Sequence, residues 1–487
     1  MNTKLTMTVA TLTSRAALAS QMKSTASRWT GALSVLATLA LPLPLVAQEA
    51  QDHKHGHQHY KLIDLDTFGG QNAYYESDPP EVIISLRGVV AASADTSVVD
   101  PYCVNASCYV THAFLWHDGV RTELDSLPGG TNSFASSINS GGQTVGAAQN
   151  GDVDPLTDYP EFIAVLWKHG AISALGTLGG NQSAANAIND HGQVVGAALN
   201  AIPDPLANNF SSAYLFVPAA TQAHAFLWTE AEGMRDLGTL GGPDSTAAFV
   251  NQHGQIAGQS YTNATISEVT AVPTQNPFFW ENGKMFDIGT LGGTMGTSGG
   301  MNNRGQVIGD SNLAGDQSRH AFVWDKKAGL RDLGTLTGYS FYSHANWIND
   351  AGEIVGESDA GTAAGVFASR PFLWKDGVMS DLGTVAGDAC NAALSINSRG
   401  QVVGFGSANC DQEDHAFLWE NGGPIVDLST LVLSGSAVTL IEAIFINDRG
   451  EIAARGKLAS GDEHAIVLLP CDAEHTDVKG CDYSLIE

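Results

Sequence analysis

Short apolar runs bounded by turn residues recur along most of the chain. One set consists of Ser183 to Asn189, Gln193 to Gly196, His224 to Trp228 and Gly233 to Leu240. Each run has the length of a strand and is flanked by Gly, Asn or Asp, so the pattern predicts four strands per repeat. The run Phe226 to Trp228 has no polar alternation, which indicates that both faces of that strand are covered. Blades of a β-propeller are covered in this way by their neighbours.

The turns between the runs carry their own signature. The first two strands of a repeat are joined by an Asn, two further residues and a Gly. The copies run from Asn189 to Gly192, Asn251 to Gly254, Asn302 to Gly305, Asn349 to Gly352, Asn397 to Gly400 and Asn447 to Gly450. Asn favours the first position of a type I turn, and Gly supplies a left-handed residue, so we predict a structural role for both. The third and fourth strands are linked in several repeats by Trp-x-Asn/Asp-Gly, as at Trp280 to Gly283, which is a strong hairpin signal.

The repeats are out of phase with the chain ends. Fourth-strand elements occur eight times, and the first three strands also occur eight times. The first element, at residues 60–66, is a fourth strand, whereas the last repeat has three strands and ends near Leu469. A strand from one end that completes the blade at the other removes both sheet edges. We therefore predict an all-β fold, an eight-bladed β-propeller of four-stranded blades in one domain over residues 60–470, closed by the N-terminal strand.

Four copies of one motif carry a resemblance to a known family. They are His112-Ala-Phe-Leu-Trp116, His224-Ala-Phe-Leu-Trp228, His320-Ala-Phe-Val-Trp324 and His415-Ala-Phe-Leu-Trp419. With the accompanying Asp-Leu-Gly-Thr-Leu-Gly-Gly and Ile-Asn-x-x-Gly-Gln-Val-Val-Gly elements, the chain resembles the HAF-repeat family, bacterial repeat proteins regarded as extracellular. The resemblance implies export and repetition, and it brings no activity and no catalytic residue. Three repeats depart from the motif, at residues 164–167, 277–280 and 371–374.

The N-terminal region has the features of a targeting segment. An apolar stretch from Ala32 to Val46 follows Lys23 and Arg28. It is short and interrupted by prolines, so we interpret residues 1–47 as a signal peptide, with Met22 as an alternative start, rather than as a retained membrane helix. Residues 48–59 form a predicted flexible His-rich linker. We expect a secreted or periplasmic protein with no membrane span in the mature chain.

Charge narrows the range of partners. The chain has 23 basic and 51 acidic residues, a formal net charge of -28. Such a surface repels phosphate backbones, so we expect no nucleic-acid partner. We also expect a monomer.

Six cysteines fall in three close pairs, Cys103 with Cys108, Cys390 with Cys410 and Cys471 with Cys481. Export favours disulfides, and nearness favours the local pairing, although six cysteines allow 15 pairings. The last pair places one disulfide in the C-terminal tail, residues 471–487.

The histidines and glycines of the repeat are interpreted as structural. His112, His224, His320, His415 and His464 share one repeat position, so a propeller places them in separate blades, each bonded to backbone groups. The Gly-Gly pairs lack a following helix or Lys, which favours turns over phosphate loops. The His-rich segment at residues 53–59 could bind a metal adventitiously. We assign no catalytic, cofactor or metal residue and expect no cofactor.

The connections between second and third strands vary most, at residues 95–111, 150–161 and 200–223. Variable loops on a rigid scaffold commonly carry recognition, so we predict a ligand face that includes Tyr214, Phe216, Asp152 and Asp154. The alternative is that these insertions are tolerated decoration.

The leading hypothesis is a non-enzymatic binding or scaffold protein for an unidentified protein or glycan. Cell-surface adhesion is a variant of it, with no anchor visible at residues 482–487. The alternative is a propeller enzyme, a hydrolase, lyase or quinone-dependent dehydrogenase with an axial active site. That site needs acids or His on the first strands, which are mostly small or apolar, with His344 and Glu442 as isolated polar residues.

Overall fold

The computed structural model describes residues 58–75, 82–215, 217–336, 338–360, 368–385, 387–410, 413–433, 437–476, 478–479 and 481. The predicted signal peptide, the alternative start at Met22 and nearly all of the His-rich linker lie outside the described residues, as do residues 482–487.

The described chain is built from strands that follow one another in antiparallel groups of four. Strand β1 (Tyr60–Asp64) comes first. The next strands are β2 (Gly69–Tyr74), β3 (Val90–Val99), β4 (Tyr109–His117), β5 (Val120–Leu124), β6 (Ser133–Ile138), β7 (Thr144–Asp154), β8 (Tyr159–Lys168), β9 (Ala171–Gly176), β10 (Gly179–Ile188), β11 (Val194–Pro203), β12 (Thr221–Thr229) and β13 (Gly233–Gly238). One helix, α1 (Ala207–Tyr214), separates β11 from β12.

The second half continues the pattern. It comprises β14 (Ser245–Val250), β15 (Ile256–Ile266), β16 (Pro273–Glu281), β17 (Lys284–Asp287), β18 (Gly292–Met301), β19 (Val307–Leu313), β20 (Arg319–Asp325), β21 (Gly329–Gly334), β22 (Ser343–Ile348), β23 (Ile354–Asp359), β24 (Ser369–Lys375), β25 (Val378–Asp381), β26 (Cys390–Ile396), β27 (Val402–Ser407), β28 (His415–Trp419), β29 (Val426–Asp427), β30 (Thr439–Ile446), β31 (Ile452–Lys457) and β32 (Glu463–Pro470). A 3-10 turn at Leu428–Thr430 follows β29.

Strand pairing groups these strands into units, each named here by its first strand. Strands β2 to β5 pair in sequence order and form the β2 unit; the β6, β10, β14, β18, β22 and β26 units have the same order. One parallel pair, Gln275 with Met295, joins the β14 and β18 units, and another, Ser369 with Cys390, joins the β22 and β26 units, so these four units form two eight-stranded sheets. In the β30 unit the fourth place is taken by β1, which pairs antiparallel with β32 and sets Leu62 opposite Leu468. The predicted all-β architecture of four-stranded antiparallel sheets is confirmed.

The turns between first and second strands have the predicted chemistry. In the β10 unit the backbone N–H of Gly192 donates to the Asn189 carbonyl oxygen at 3.0 Å, and Gly192 has a φ of +74°. In the hairpin of the β14 unit, Asn282 and Gly283 have φ values of +52° and +80°. Both residues of this turn are left-handed, which explains the Asn-Gly sequence.

The Asn side chains at these turns also link neighbouring units. The side chain of Asn251 is buried; its Oδ1 accepts from the backbone N–H groups of His253 and Gln255, and its Nδ2 donates to Gln255 Oε1 and to the Asn302 carbonyl oxygen. The same inter-unit bond to a backbone carbonyl runs from Asn139 to Asn189, Asn189 to Asn251, Asn302 to Asn349, Asn349 to Asn397 and Asn397 to Asn447.

The glycine of the second strand allows the first strand to approach. A Cβ added to Gly258 would lie 2.0 Å from the Thr246 carbonyl oxygen, and one added to Gly309 would lie 1.9 Å from the Thr297 carbonyl oxygen. Both contacts are closer than any methyl group tolerates, so the Gly in the Val-Val-Gly element is a packing requirement of the hairpin.

The apolar core lies between units. Val195 and Ala225 of the β10 unit pack with Phe278 and Ile256 of the β14 unit, and all four side chains are fully buried. A fully buried phenylalanine occupies the position equivalent to Phe278 on the third strand of six units, at Phe114, Phe226, Phe278, Phe322, Phe372 and Phe417. Each central strand is therefore covered on both faces, as the absence of polar alternation predicted, and the units pack as β-propeller blades do.

Three disulfides are present, Cys103 with Cys108, Cys390 with Cys410 and Cys471 with Cys481. The local pairing is confirmed, and disulfides are compatible with a protein outside the cytoplasm. Within the described ranges, no helix is long and apolar enough to cross a bilayer.

Candidate binding face

The connections between second and third strands lie together at one edge of the units. Antiparallel order places the Asn turns and the third-to-fourth hairpins at the opposite edge, so we call the edge with the second-to-third connections and the crossovers the loop face.

Four consecutive units have long hairpins between their second and third strands on the loop face. Their second strands β3, β7, β11 and β15 have 10 or 11 residues, whereas β19, β23, β27 and β31 have 6 or 7. Each long strand passes through an irregularity before it continues, as between Gln149 and Val153 or between Tyr261 and Ile266. A bulge bends the strand away from its sheet. We call the connections at residues 95–109, 149–160, 199–222 and 261–274 the extended hairpins.

Helix α1 joins the extended hairpins at their base. Phe210 on the helix is fully buried and meets the Tyr261 ring edge-on, with centroids 5.1 Å apart. The same apolar cluster contains Phe162 of the β6 unit and, at its margin, Val104 of the β2 unit and Val272 of the β14 unit. One small core therefore holds the four hairpins in a fixed arrangement.

Sequence reasoning missed this helix. Its buried face is formed by Ala207, Phe210 and Ser211, which have the i, i+3, i+4 spacing of an amphipathic helix. That spacing spans a single turn inside a connection, which is too short a signal to separate from a loop.

The structure separates the four predicted ligand residues. Asp152 is exposed, but Asp154 is buried and its carboxylate accepts from the Leu156 backbone N–H at 2.8 Å and from Asn181 Nδ2 at 2.9 Å. Tyr214 ends helix α1, and its side chain lies outside the described residues; Phe216 lies outside them entirely. Asp154 thus stabilises its hairpin, while Asp152 is placed where it can contact a partner.

Exposed apolar side chains concentrate on the extended hairpins. Among the described residues, thirteen large apolar side chains are exposed, and eight of them belong to these four connections. The eight are Val98, Val99, Tyr102, Val153, Leu156, Ile202, Ile266 and Val269. Exposed apolar side chains concentrated on one face are typical of an interaction site, and sequence reasoning had named none of these eight residues.

The extended hairpins are uniformly acidic. Together they contain seven carboxylates and neither Lys nor Arg. The carboxylates belong to Asp95, Asp100, Asp152, Asp154, Asp158, Asp204 and Glu268. Burial raises the pKa of Tyr159 to about 12, with a further contribution from the charge of Asp100.

Two carboxyl groups meet where helix α1 contacts the next crossover. Asp244 is fully buried; its Oδ1 accepts from the Ala223 backbone N–H at 2.9 Å, whereas its Oδ2 and the Oδ2 of Asp204 are both buried without a hydrogen-bond partner among the described residues. Asp204 in turn accepts from the Leu206 backbone N–H at 2.9 Å, at the start of the helix. Burial, followed by the nearby charge of Asp204, raises the pKa of Asp244 to about 8. Burial therefore favours the neutral, protonated form of Asp244.

This pair predicts a pH dependence of stability. Between its unfolded pKa and about 8, Asp244 binds more proton in the folded state than in the unfolded state. The free energy of unfolding should therefore fall as pH rises from 5 to 8, by up to about 1.4 kcal/mol per unit, and level off above 8. Asp244→Asn keeps a neutral hydrogen-bonding group and should flatten this slope. Chemical denaturation at pH 5, 6, 7 and 8 measures it; equal slopes in the two proteins would contradict the assignment.

The repeated histidines all bond to carboxylates, which were not the expected partners, and His320 also contacts a backbone group, the Ser340 carbonyl oxygen, through Nε2 at 3.4 Å. Nδ1 of each His contacts a fourth-strand or crossover carboxylate: Glu123 for His112, Asp236 for His224 at 2.9 Å, Asp332 for His320 at 3.0 Å, Asp388 for His415 at 3.0 Å and Asp64 for His464 at 2.8 Å. The hydrogen bond to Asp332 is the largest cause of the raised pKa of His320. Each His lies in a different unit, so they form no shared site.

Two of the three repeats that lack this His keep the pairing in another form. Asn276 Nδ2 donates to Asp287 at 2.9 Å in the β14 unit, and Arg370 lies 3.9 Å from Asp381 in the β22 unit. In the β6 unit, Ile163 stands at the His position, and Ala174 stands at the carboxylate position. In the β6 unit both polar residues are thus absent together, which was a sequence signal for the carboxylate partner.

His344 and Glu442 on the first strands are not isolated. His344 Nε2 lies 3.7 Å from Asp310 of the preceding unit, and Glu442 lies 3.0 Å from Arg455. Arg455 also contacts Glu413 at 2.9 Å, beside a cavity of about 290 Å³ between the β26 and β30 units. In the parts of the chain that the structure describes, no three His, Cys, Asp or Glu side chains gather as metal ligands.

No family model and no curated protein matches the sequence. Among solved structures the chain is similar to an acylaminoacyl peptidase of Pyrococcus horikoshii, at 11% identity and a TM-score of 0.39 over 79% of this chain and 57% of that one. It is also similar to the β-propeller domain of the Trilobed protease of Pyrococcus furiosus, at 9% identity and a TM-score of 0.40 over 76% and 98% of the two chains. An oligogalacturonate lyase in complex with manganese has 11% identity and a TM-score of 0.41 over 85% and 98%. Likeness of this degree gives no information about the activity of this chain, so its fold rests on its own strand pairing and its function on its own loop face.

Proposed function

We propose that the chain is a closed, eight-bladed β-propeller which, after export, acts as a non-enzymatic binding or scaffold module for a protein or a glycan. The single observation that carries the binding role is the set of exposed apolar side chains on the extended hairpins, held over a shared base. Exposure of apolar surface to water is unfavourable in free energy, and a bound partner that covers this surface removes the penalty.

Contacts between the two ends of the described chain support closure. Besides the pairing of β1 with β32, Asn447 Nδ2 donates to the Ser85 carbonyl oxygen at 3.2 Å, and the Tyr75 hydroxyl donates to the Ile466 carbonyl oxygen at 2.9 Å. Asn447 thus makes to the β2 unit the bond that the other Asn side chains make to their successors. One apolar cluster also includes Phe114 of the β2 unit and Phe445 of the β30 unit.

Export and membership of the HAF-repeat family remain part of the proposal. The apolar N-terminal stretch and the repeated His-Ala-Phe motif support it, and three disulfides agree with an oxidising compartment. The deviating repeats at Asn276 and Arg370 keep the pairing with the fourth-strand carboxylate, which makes them variants of one motif.

A binding experiment on the protein from Gln48 onward tests the role. Immobilised protein is exposed to secreted bacterial proteins and, separately, to a glycan array, in parallel with the variant Leu156→Ser with Val269→Ser, which lowers the exposed apolar area of two hairpins. We expect at least one ligand that binds the native protein and binds the variant about tenfold more weakly. The role is wrong if neither format yields a ligand, or if every ligand binds both proteins equally.

A further inference from the structure

Among the described side chains of the extended hairpins, which do not include those of Tyr214 and Phe216, the exposed large apolar ones are aliphatic except for Tyr102. Val99, Leu156 and Val269 are 66%, 62% and 62% exposed, and Tyr102 is the aromatic side chain among the eight exposed ones on these hairpins. Sugar rings are usually bound by stacking on aromatic faces, whereas aliphatic side chains pack well against apolar side chains of a polypeptide. The composition of this surface therefore favours a polypeptide over a glycan.

Acidic groups stand directly beside the exposed apolar ones. Asp152 precedes Val153, Asp158 follows Leu156 by two residues, and Glu268 precedes Val269. All three carboxylates are exposed, and within the described ranges none of the three lies in an ion pair. The surface thus presents negative charge without compensation at the same places where it presents apolar area.

The negative charge of the extended hairpins disfavours acidic binding partners. A second copy of the chain would bring an equally acidic protein with a net charge of -28 against an acidic surface, which is repulsive. A basic partner is attracted by the same negative charge, which increases its rate of association and favours binding at this face.

We propose that the four extended hairpins bind a cationic polypeptide segment in which Lys or Arg alternates with aliphatic side chains, such as the basic face and apolar face of an amphipathic helix. The basic groups contact Asp152, Asp158 and Glu268, and the aliphatic groups contact Val153, Leu156 and Val269. The proposal rests on the binding role of the loop face and specifies the chemistry of its partner.

Three synthetic peptides of about 20 residues test the proposal by fluorescence anisotropy with the protein from Gln48 onward. The first combines Lys and Leu in an amphipathic pattern, the second has Glu in place of Lys, and the third has Ser in place of Leu. We expect the Lys/Leu peptide to bind at least tenfold more tightly than either of the other two, and to weaken severalfold between 50 and 500 mM salt, on the order expected from charge screening.

Paired variants localise the contact. Asp152→Asn with Asp158→Asn and Glu268→Gln should weaken the Lys/Leu peptide about tenfold and abolish most of its salt dependence. Val120→Ser with Val378→Ser changes two exposed apolar residues at the opposite edge and should leave binding unchanged. Circular dichroism confirms that each variant is folded.

The possible failures are distinguishable. Equal binding of the Glu/Leu peptide, or equal weakening by the control pair, overturns the inference of a cationic partner at this surface. If a glycan or an acidic protein instead requires Leu156 and Val269, the partner class is wrong while the binding role stands. If no ligand of any class depends on the extended hairpins, both proposals fail.

Discussion

Replacement of Asn447 by alanine is expected to lower the free energy of unfolding by about 3 kcal/mol, as much as Asn251→Ala does. The Asn447 side chain is buried; its Oδ1 accepts from the backbone N–H groups of Arg449 and Glu451 at 3.0 Å each. Its Nδ2 donates to Glu451 Oε2 at 2.7 Å and to the Ser85 carbonyl oxygen. Alanine leaves these buried partners unsatisfied, and each unsatisfied group costs on the order of 1 kcal/mol or more.

Asn251→Ala is the control in the middle of the chain, because Asn251 makes four equivalent bonds, with the Gln255 amide oxygen in the place of the Glu451 carboxylate. Urea denaturation of the two variants and the native protein measures the effect. Equal losses in the free energy of unfolding would indicate that the β30 unit packs on the β2 unit in the same way as the other units pack on the units that follow them. A loss for Asn447→Ala well below that for Asn251→Ala would show that the junction between the β30 and β2 units contributes little.

Local features of the sequence were sufficient to predict the repeating units. Apolar runs, the Asn and Gly of the turns and the Asn-Gly hairpins act over a few residues, so strand positions and turn types follow from them directly. The fourth-strand character of residues 60–66 likewise anticipated the pairing of Leu62 with Leu468. What the turn pattern did not show is that the Asn side chain reaches the neighbouring unit, because that contact depends on how two units pack.

The candidate site was predicted less well, for reasons that are also physical. The loop face was correct as a region of insertions, but Asp154 is folded into its own hairpin, while the apolar residues beside it are exposed. Whether a side chain in an insertion is buried depends on the bulge of its strand and on helix α1. Phe210 packs on Tyr261, about fifty residues away in the sequence, and no local pattern encodes such a contact.

The second large effect concerns a cross-link between the first and last strands of the described chain. The His59 carbonyl oxygen accepts from the Cys471 N–H, and the Leu65 N–H donates to the Ala465 carbonyl oxygen, so the pairs at residues 59 and 65 are hydrogen-bonded. Leu62 and Leu468, opposite each other between them, form a non-hydrogen-bonded pair, in which side chains are closest. Cysteines at these two positions have the geometry for a disulfide.

Oxidation of Leu62→Cys with Leu468→Cys is the most direct test of the closed ring. We expect a link between positions 62 and 468 in peptide maps and, since it closes a loop of about 400 residues, a free energy of unfolding about 6 kcal/mol above that of Leu468→Cys alone on the chain-entropy estimate. Leu62→Cys with Val467→Cys should form no such link, because adjacent side chains of a strand point to opposite faces. Absence of the 62–468 link, or a link that adds no stability, would contradict the closed propeller.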